Sequence, residues 1–175
     1  MAENVLGRRF NPSAANKVWC GDITHIWTCE GWMYLAVFLD LYSRRVVGWA
    51  LSNRLTKELV LKAFFQALLI RKPPPGLIVH TDRGSQYTSG QFIKMVEGSS
   101  FVLSMSRKGN CWDNAVVESF FSSFKREVIE GEKIRTRWEL DRIVSEYIDK
   151  YYNTVRLHSS LDYVSPMEYE RSIMR

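Results

Sequence analysis

The chain has 175 residues, enough for one domain or one domain with a small appendage. Its 46% hydrophobic and 25% charged residues exclude a disordered chain. Lys and Arg number 24 against 19 acids, and the resulting +5 permits a polyanionic partner, although no basic run exceeds two residues and a polybasic tail is excluded.

The first 16 residues carry Asn11-Pro12-Ser13 and little periodicity, and read as a lead-in. Residues 18–28 alternate and are rich in aromatic and β-branched side chains, which predicts a strand. Glu30-Gly31 supplies a turn, and Met33 to Leu39 is the nearly continuous apolar run of a strand buried on both faces. After a turn at Asp40 to Ser43, Arg45 to Leu51 makes a third strand, giving an antiparallel meander. Thr56 is placed to cap a helix carrying Val60, Phe64, Ala67 and Leu68, which Pro73-Pro74-Pro75-Gly76 ends. Leu77 to His80 is a short strand, Thr88-Ser89-Gly90-Gln91 resembles a capping box opening a short helix, and Phe101 to Leu103 is a fifth strand. Ser104 to Asn110 reads as a mobile loop. A long helix follows from Trp112 to Glu130, stopped by Gly131; Thr136-Arg137-Trp138-Glu139 opens another, and Ser165-Pro166-Met167-Glu168 opens a short terminal one. The order β-β-β-α-β-α-β-α-α predicts an α/β fold: a mixed five-stranded sheet flanked by helices, with the first strand central if the fourth pairs with it in parallel.

Three acids stand where the pattern does not expect them. Asp22 is inside the first strand, Asp82 follows the strand ending at His80, and Glu118 lies beside the apolar stripe of the long helix. Singly, each is more simply a hydrogen-bonded or solvated residue. If the first and fourth strands are neighbours, Asp22 and Asp82 lie about 4.8 Å apart at strand spacing. Two bare carboxylates that close repel, and a divalent cation removes the repulsion. A third carboxylate from a facing helix completes an oxygen-only set for Mg²⁺ or Mn²⁺, and two such ions suit phosphoryl transfer.

The spacing makes the pattern specific: 35 residues separate Asp82 from Glu118. Around the acids stand Trp19-Cys20-Gly21-Asp22-Ile23-Thr24, Leu39-Asp40-Leu41-Tyr42-Ser43-Arg44-Arg45 and His80-Thr81-Asp82-Arg83-Gly84-Ser85-Gln86-Tyr87. Ser106-Arg107-Lys108-Gly109-Asn110-Cys111-Trp112-Asp113-Asn114-Ala115 and Tyr152-Asn153-Thr154-Val155-Arg156-Leu157-His158-Ser159-Ser160-Leu161 follow in order. From about Asn11 onward the chain resembles the catalytic core of DDE transposases, the D,D-35-E insertion-sequence class related to retroviral integrases. The resemblance implies a ribonuclease-H-like fold and metal-dependent DNA cleavage and strand transfer. It implies Asp22, Asp82 and Glu118 as catalytic and metal-binding acids, two Mg²⁺ or Mn²⁺ ions, and DNA at transposon ends and target as partner. It also implies a homo-oligomer in the active complex. Relatives carry an upstream DNA-binding region, and none is legible in the 21 residues before Asp22. The expected division is a lead-in over 1–16, the core over 17–151 and an extension of it over 152–175.

Lys125 matches the family's basic residue seven positions after the glutamate, on the same helix face two turns on, where it would grip phosphate. Further DNA-binding candidates are Arg107 and Lys108 in the basic loop, His80 on the face of Asp82, and Arg156; an exposed loop or a packed structural residue is the alternative for each. Trp19, Trp27, Trp32 and Trp49 are expected in the core or at an interface. Cys20, Cys29 and Cys111 are an odd, widely spaced set that fits a reducing cytoplasm, and Cys111 has no paired histidine to make it a nucleophile. No apolar stretch reaches the ~18 residues of a membrane span. A nuclease of the same fold, or a non-catalytic DNA-binding or assembly module, is the rival function.

Overall fold

Side-chain alternation decides how the sheet divides the core. The structure, a computed structural model, describes residues 2–107 and 111–173. Val18–Thr28 forms β1, Gly31–Asp40 forms β2 and Val46–Ser52 forms β3, an antiparallel meander as the two short turns require. Met33, Leu35, Val37 and Leu39 of β2 enter one hydrophobic cluster, and Ala36 and Phe38 enter the other. The uninterrupted apolar run is therefore a strand covered on both faces.

Lys57–Arg71 forms α1, Ile78–Thr81 β4, Gly90–Gly98 α2 and Val102–Met105 β5. The sheet order is β3-β2-β1-β4-β5, with β4 parallel to β1 and β5 parallel to β4, so β1 is central. Helix α1 lies against β3 closely enough that a Cβ on Gly48 would collide with the Ala63 carbonyl oxygen. Thr56 occupies the cap position of α1 without a capping hydrogen bond, and α1 ends at Lys72 in the left-handed region, φ 44°. Two boundaries differ from expectation. Ser89, one residue after Thr88, caps α2 by accepting from the Phe92 N–H. Ser104 and Met105, expected in a loop, extend β5 because they pair with His80 and Thr81.

The long helix is composite. A 3₁₀ turn over Cys111–Asn114 leads into α3, Ala115–Phe124, which widens into a π-helical segment over Lys125–Ile129. The Glu130 N–H reaches the Lys125 carbonyl at 2.8 Å, five residues back, and Gly131 then leaves the helix at φ 82°. Arg137–Ser145 is α4, capped by Thr136 accepting from the Glu139 N–H at 3.0 Å, and it too passes into a π-helical segment, Glu146–Tyr152. Pro166–Ile173 is α5, begun by Ser165 accepting from the Glu168 N–H.

Helices α3 and α4 cover one sheet face through Val117, Phe120, Phe124, Leu140 and Val144, and α1 and α2 cover the other through Val60, Phe64, Phe92 and Val96. The C-terminal segment is tied to the β3 edge. The Asn153 amide accepts from the Val46 N–H and donates to the Val46 carbonyl, both at 2.9 Å, completing that residue's backbone pairing. Glu170 of α5 accepts from Ser43, Arg45 and Arg71, with Arg71 also reaching Asp40.

Candidate active site

The register of the two central strands places two carboxylates side by side. Gly21 pairs with Thr81, the last residue of β4, so Asp22 in β1 and Asp82 just beyond β4 each follow that pair by one residue. Asp22 shares the strand parity of Val18 and Cys20, both in the cluster beneath α3. The Ile23 N–H donates to Asp22 Oδ1 at 2.8 Å, and the Gly84 N–H donates to Asp82 Oδ1 at 2.9 Å. Both acids line an open cleft of about 170 Å³, with His25, Tyr34, Gln86 and Tyr87. Glu118 is exposed in the first turn of α3. The start of that helix is held to β1 by the Asn114 side-chain amide, which donates to the Gly21 carbonyl at 3.3 Å, beside Asp22.

Electrostatics connect the three. Burial, reinforced by the negative charges of Asp82 and Glu118, pushes the Asp22 carboxyl up to about 7 against the favourable Ile23 N–H. Both neighbouring charges thus act on Asp22 through space. Among the described residues, however, no three His, Cys, Asp or Glu side chains stand close enough to hold a metal ion as they are. Asp22 and Asp82 share a cleft, and Glu118 contributes charge without lining it. The donor set fits a hard divalent cation in kind: oxygen-only, anionic and mutually repelling.

The secondary candidates separate. Lys125 is half-buried at the end of α3, two turns along from Glu118, and forms no ion pair among the described residues. Arg107 is engaged by Asp113, with its guanidinium 3.0 and 3.1 Å from the two carboxylate oxygens. Lys108 lies outside the described residues. His80 is 0% exposed, its ring nitrogens 2.9 and 3.2 Å from the Ser104 and Ser106 hydroxyls, and burial lowers its pKa. Arg156 grips Glu127 at 2.7 Å and lies over the Tyr152 ring.

Asp113 is a functional neighbour that the sequence did not single out. Its side chain is 0% exposed and accepts from Asn4, Arg8 and Arg107, whose hydrogen bonds hold the carboxyl well below the usual carboxylate range. It fastens the N-terminal segment and the end of β5 to the entry of the Glu118 helix; its only signal is its place within the Trp112-Asp113-Asn114 run. Tyr87 brings a buried hydroxyl with no hydrogen-bond partner among the described residues to the same cleft. Of the tryptophans, Trp19 is fully buried, whereas Trp27 and Trp32 are 58% and 48% exposed, stacked edge to face at the tip of the β1–β2 hairpin.

A model of the integrase core domain family matches residues 12–111, and a second integrase core domain model matches residues 100–166. The chain is 48% identical over 168 residues to the transposase for insertion sequence element IS904 of Lactococcus lactis subsp. lactis (strain IL1403), covering 96% of this chain and 66% of that protein. It is 46% identical over 170 residues to transposase InsF for insertion sequence IS3A of Escherichia coli (strain K12), covering 97% of this chain and 59% of that one. The chain therefore spans less than two thirds of the length of these relatives. Among solved structures, the HTLV-2 integrase catalytic core domain in complex with magnesium (trimeric form) superposes with a TM-score of 0.69 at 17% identity, covering 91% of this chain and 99% of that one. A chain of the simian T-cell lymphotropic virus intasome in complex with PP2A regulatory subunit B56 gamma gives 0.73 at 16% identity, covering 91% and 56%. The fold is the ribonuclease-H-like one that the resemblance implied, on the mixed five-stranded sheet expected from the strand order.

Proposed function

Because the chain belongs to the integrase core domain family, as the core of an insertion-sequence transposase, we propose that it cuts DNA at transposon ends and joins the freed 3′-hydroxyl to a target strand. The observation that carries this reading is the shared cleft of Asp22 and Asp82, each one residue past the Gly21–Thr81 pair of two parallel neighbours, with Glu118 near enough to oppose Asp22's ionisation.

Asp22, Asp82 and Glu118 would hold two Mg²⁺ or Mn²⁺ ions, and the magnesium in the HTLV-2 core structure supports that choice. When bound, such ions supply Lewis-acid activation of the attacking oxygen and neutralise charge developing at phosphorus. The protein's own work is positional. Strands β1 and β4 fix two carboxylates on a rigid sheet, and α3 brings the third. Lys125 would hold a backbone phosphate on the Glu118 side of the helix. The Asp113 hydrogen bonds set where α3 begins, and so where Glu118 stands. Residues 17–151 form the catalytic core in this reading, with 1–16 leading in and 152–175 extending it. The active complex is a homo-oligomer, as trimeric and intasome assemblies of the structural neighbours support. It acts in the cytoplasm on chromosomal or plasmid DNA. Among the described residues no helix is long and apolar enough to cross a membrane.

The test is Asp82→Asn, assayed for cleavage and strand transfer on duplexes carrying the element's ends, with Mg²⁺ or Mn²⁺. Loss of at least about 100-fold in both steps is expected, with circular dichroism unchanged. Full activity in the variant would overturn the assignment.

A further inference from the structure

A second pocket lies around the corner of α3 from Glu118. It encloses about 280 Å³ between α3, the β2–β3 turn and the C-terminal segment, and its polar lining is Arg44, Ser119, Ser123, Arg156, His158 and Ser160. Ser119 and Ser123 are one helical turn apart, so both hydroxyls line the same wall.

Three features of this lining favour an anion. Arg44 is half-buried, and its guanidinium donates to neutral acceptors, the Phe10 carbonyl at 3.2 Å and the Asn11 side chain at 3.1 Å. Among the described residues it has no carboxylate at ion-pair distance. A cation withdrawn from water without a counter-charge is costly, and an anion removes that cost. Second, the His158 Nε2 atom is buried with no hydrogen-bond partner among the described residues. Burial and the charges of Arg156 and Arg44 push this imidazole down to about 4, so at neutral pH it has one N–H to donate. Third, Ser119, Ser123 and Ser160 line the pocket and carry hydroxyls able to donate. Arg44 itself sits at φ 60°, a left-handed turn conformation that asparagine adopts with less strain. The nearby carboxylate of Glu127 is already neutralised by Arg156.

We propose that this pocket seats one phosphate of the DNA backbone, with Arg44 as its principal cation and His158 and the three serines as donors. The inference rests on the DNA reading above and extends it: it fixes a contact that registers the strand one helix face away from Glu118. Arginine suits the role because its fork presents paired donors to phosphate oxygens.

The variant of choice is Arg44→Asn, which removes the charge while keeping a residue that tolerates the left-handed backbone. Ser123→Asp, which puts a negative charge into the pocket and leaves the Arg44 contacts to Phe10 and Asn11 alone, guards against a local folding defect. Inorganic phosphate is titrated into the full chain against chloride at equal ionic strength, following the His158 ring resonances by NMR. The affinity for a duplex is then measured against salt. The proposal expects phosphate to move the His158 signals in the wild type and in neither variant. It also expects each variant to bind duplex about tenfold more weakly, with the log–log salt slope shallower by about 0.9, the loss of one phosphate contact. His158 signals indifferent to phosphate would overturn it. A response to phosphate with an unchanged duplex salt slope would overturn the DNA assignment and leave a free-phosphate site. Cleavage by Asp82→Asn, run in parallel, reports on the metal reading separately, since no Arg44 result alters it.

Discussion

Replacing Asp22 by asparagine should stabilise the metal-free protein while disabling it. In the unfolded chain this carboxyl ionises near 3.8; in the fold, burial and the neighbouring acids raise it to about 7. A folded pKa raised above the unfolded one means that the stability contribution is complete below 3.8 and is lost as pH rises through about 7. At 1.36 kcal/mol per unit, the loss approaches about 4 kcal/mol by pH 8, an upper bound that water entering the open cleft reduces to about 1–3 kcal/mol. Asparagine keeps an oxygen for the Ile23 N–H and carries no charge to lose. Urea unfolding in EDTA, at intervals from pH 4 to pH 8.5, should show the variant gaining on the wild type across that range. Added Mn²⁺ should then stabilise the wild type and leave the variant unmoved. A difference that stays flat with pH, or a variant less stable than wild type at pH 8, would refute the claim that burial and the neighbouring acids hold the Asp22 carboxyl up.

Asp113→Asn should cost about 1–3 kcal/mol, because Arg8 and Arg107 lose a buried acceptor yet are 44% and 55% exposed and can resolvate; cleavage should fall with it, since α3 carries Glu118, and unchanged melting and cleavage would contradict this role. Gly48→Ala should lower the melting temperature by an amount equivalent to about 1–3 kcal/mol, since its Cβ would strike the α1 backbone at the Ala63 oxygen; a change under about 0.5 kcal/mol would show the helix shifts freely. Glu170→Gln should destabilise by about 3 kcal/mol, leaving Arg71, only 9% exposed, without its main partner; chemical denaturation reads it directly, and a neutral result would mean that Asp40 alone suffices.

The sheet was legible because period-2 alternation and an unbroken apolar run carry strand position and burial together. Turn lengths and helix–strand alternation then left few topologies, and β1 fell in the centre. Capping signals at Thr136 and Ser165 placed two helix starts well because they act over three or four residues. What escaped was long-range. Asp113 finds Arg8 across 105 positions and Glu170 finds Arg71 across 99, and local sequence carries no sign of such pairs. The widening of both long helices into π-helical segments is a hydrogen-bond choice that propensity does not encode. His80 has the strand parity expected of a partner to Asp82, but parity says nothing of exposure, and Ser104 and Ser106 enclose its ring. Trp27 and Trp32, expected in the core or at an interface, are exposed because strand alternation turns them to the sheet face opposite the buried Ile26 and Met33.

The central claim is that Asp22, Asp82 and Glu118 together hold the ions that cut and join DNA. Crystals of the chain grown with Mn²⁺ and a duplex carrying the element's end, measured at the manganese edge, test it most directly. The account predicts anomalous density bounded by all three carboxylates, with Glu118 drawn in toward Asp22 and Asp82, and a DNA phosphate alongside. Density bound elsewhere, or held by two of the acids with Glu118 turned to solvent, would contradict it.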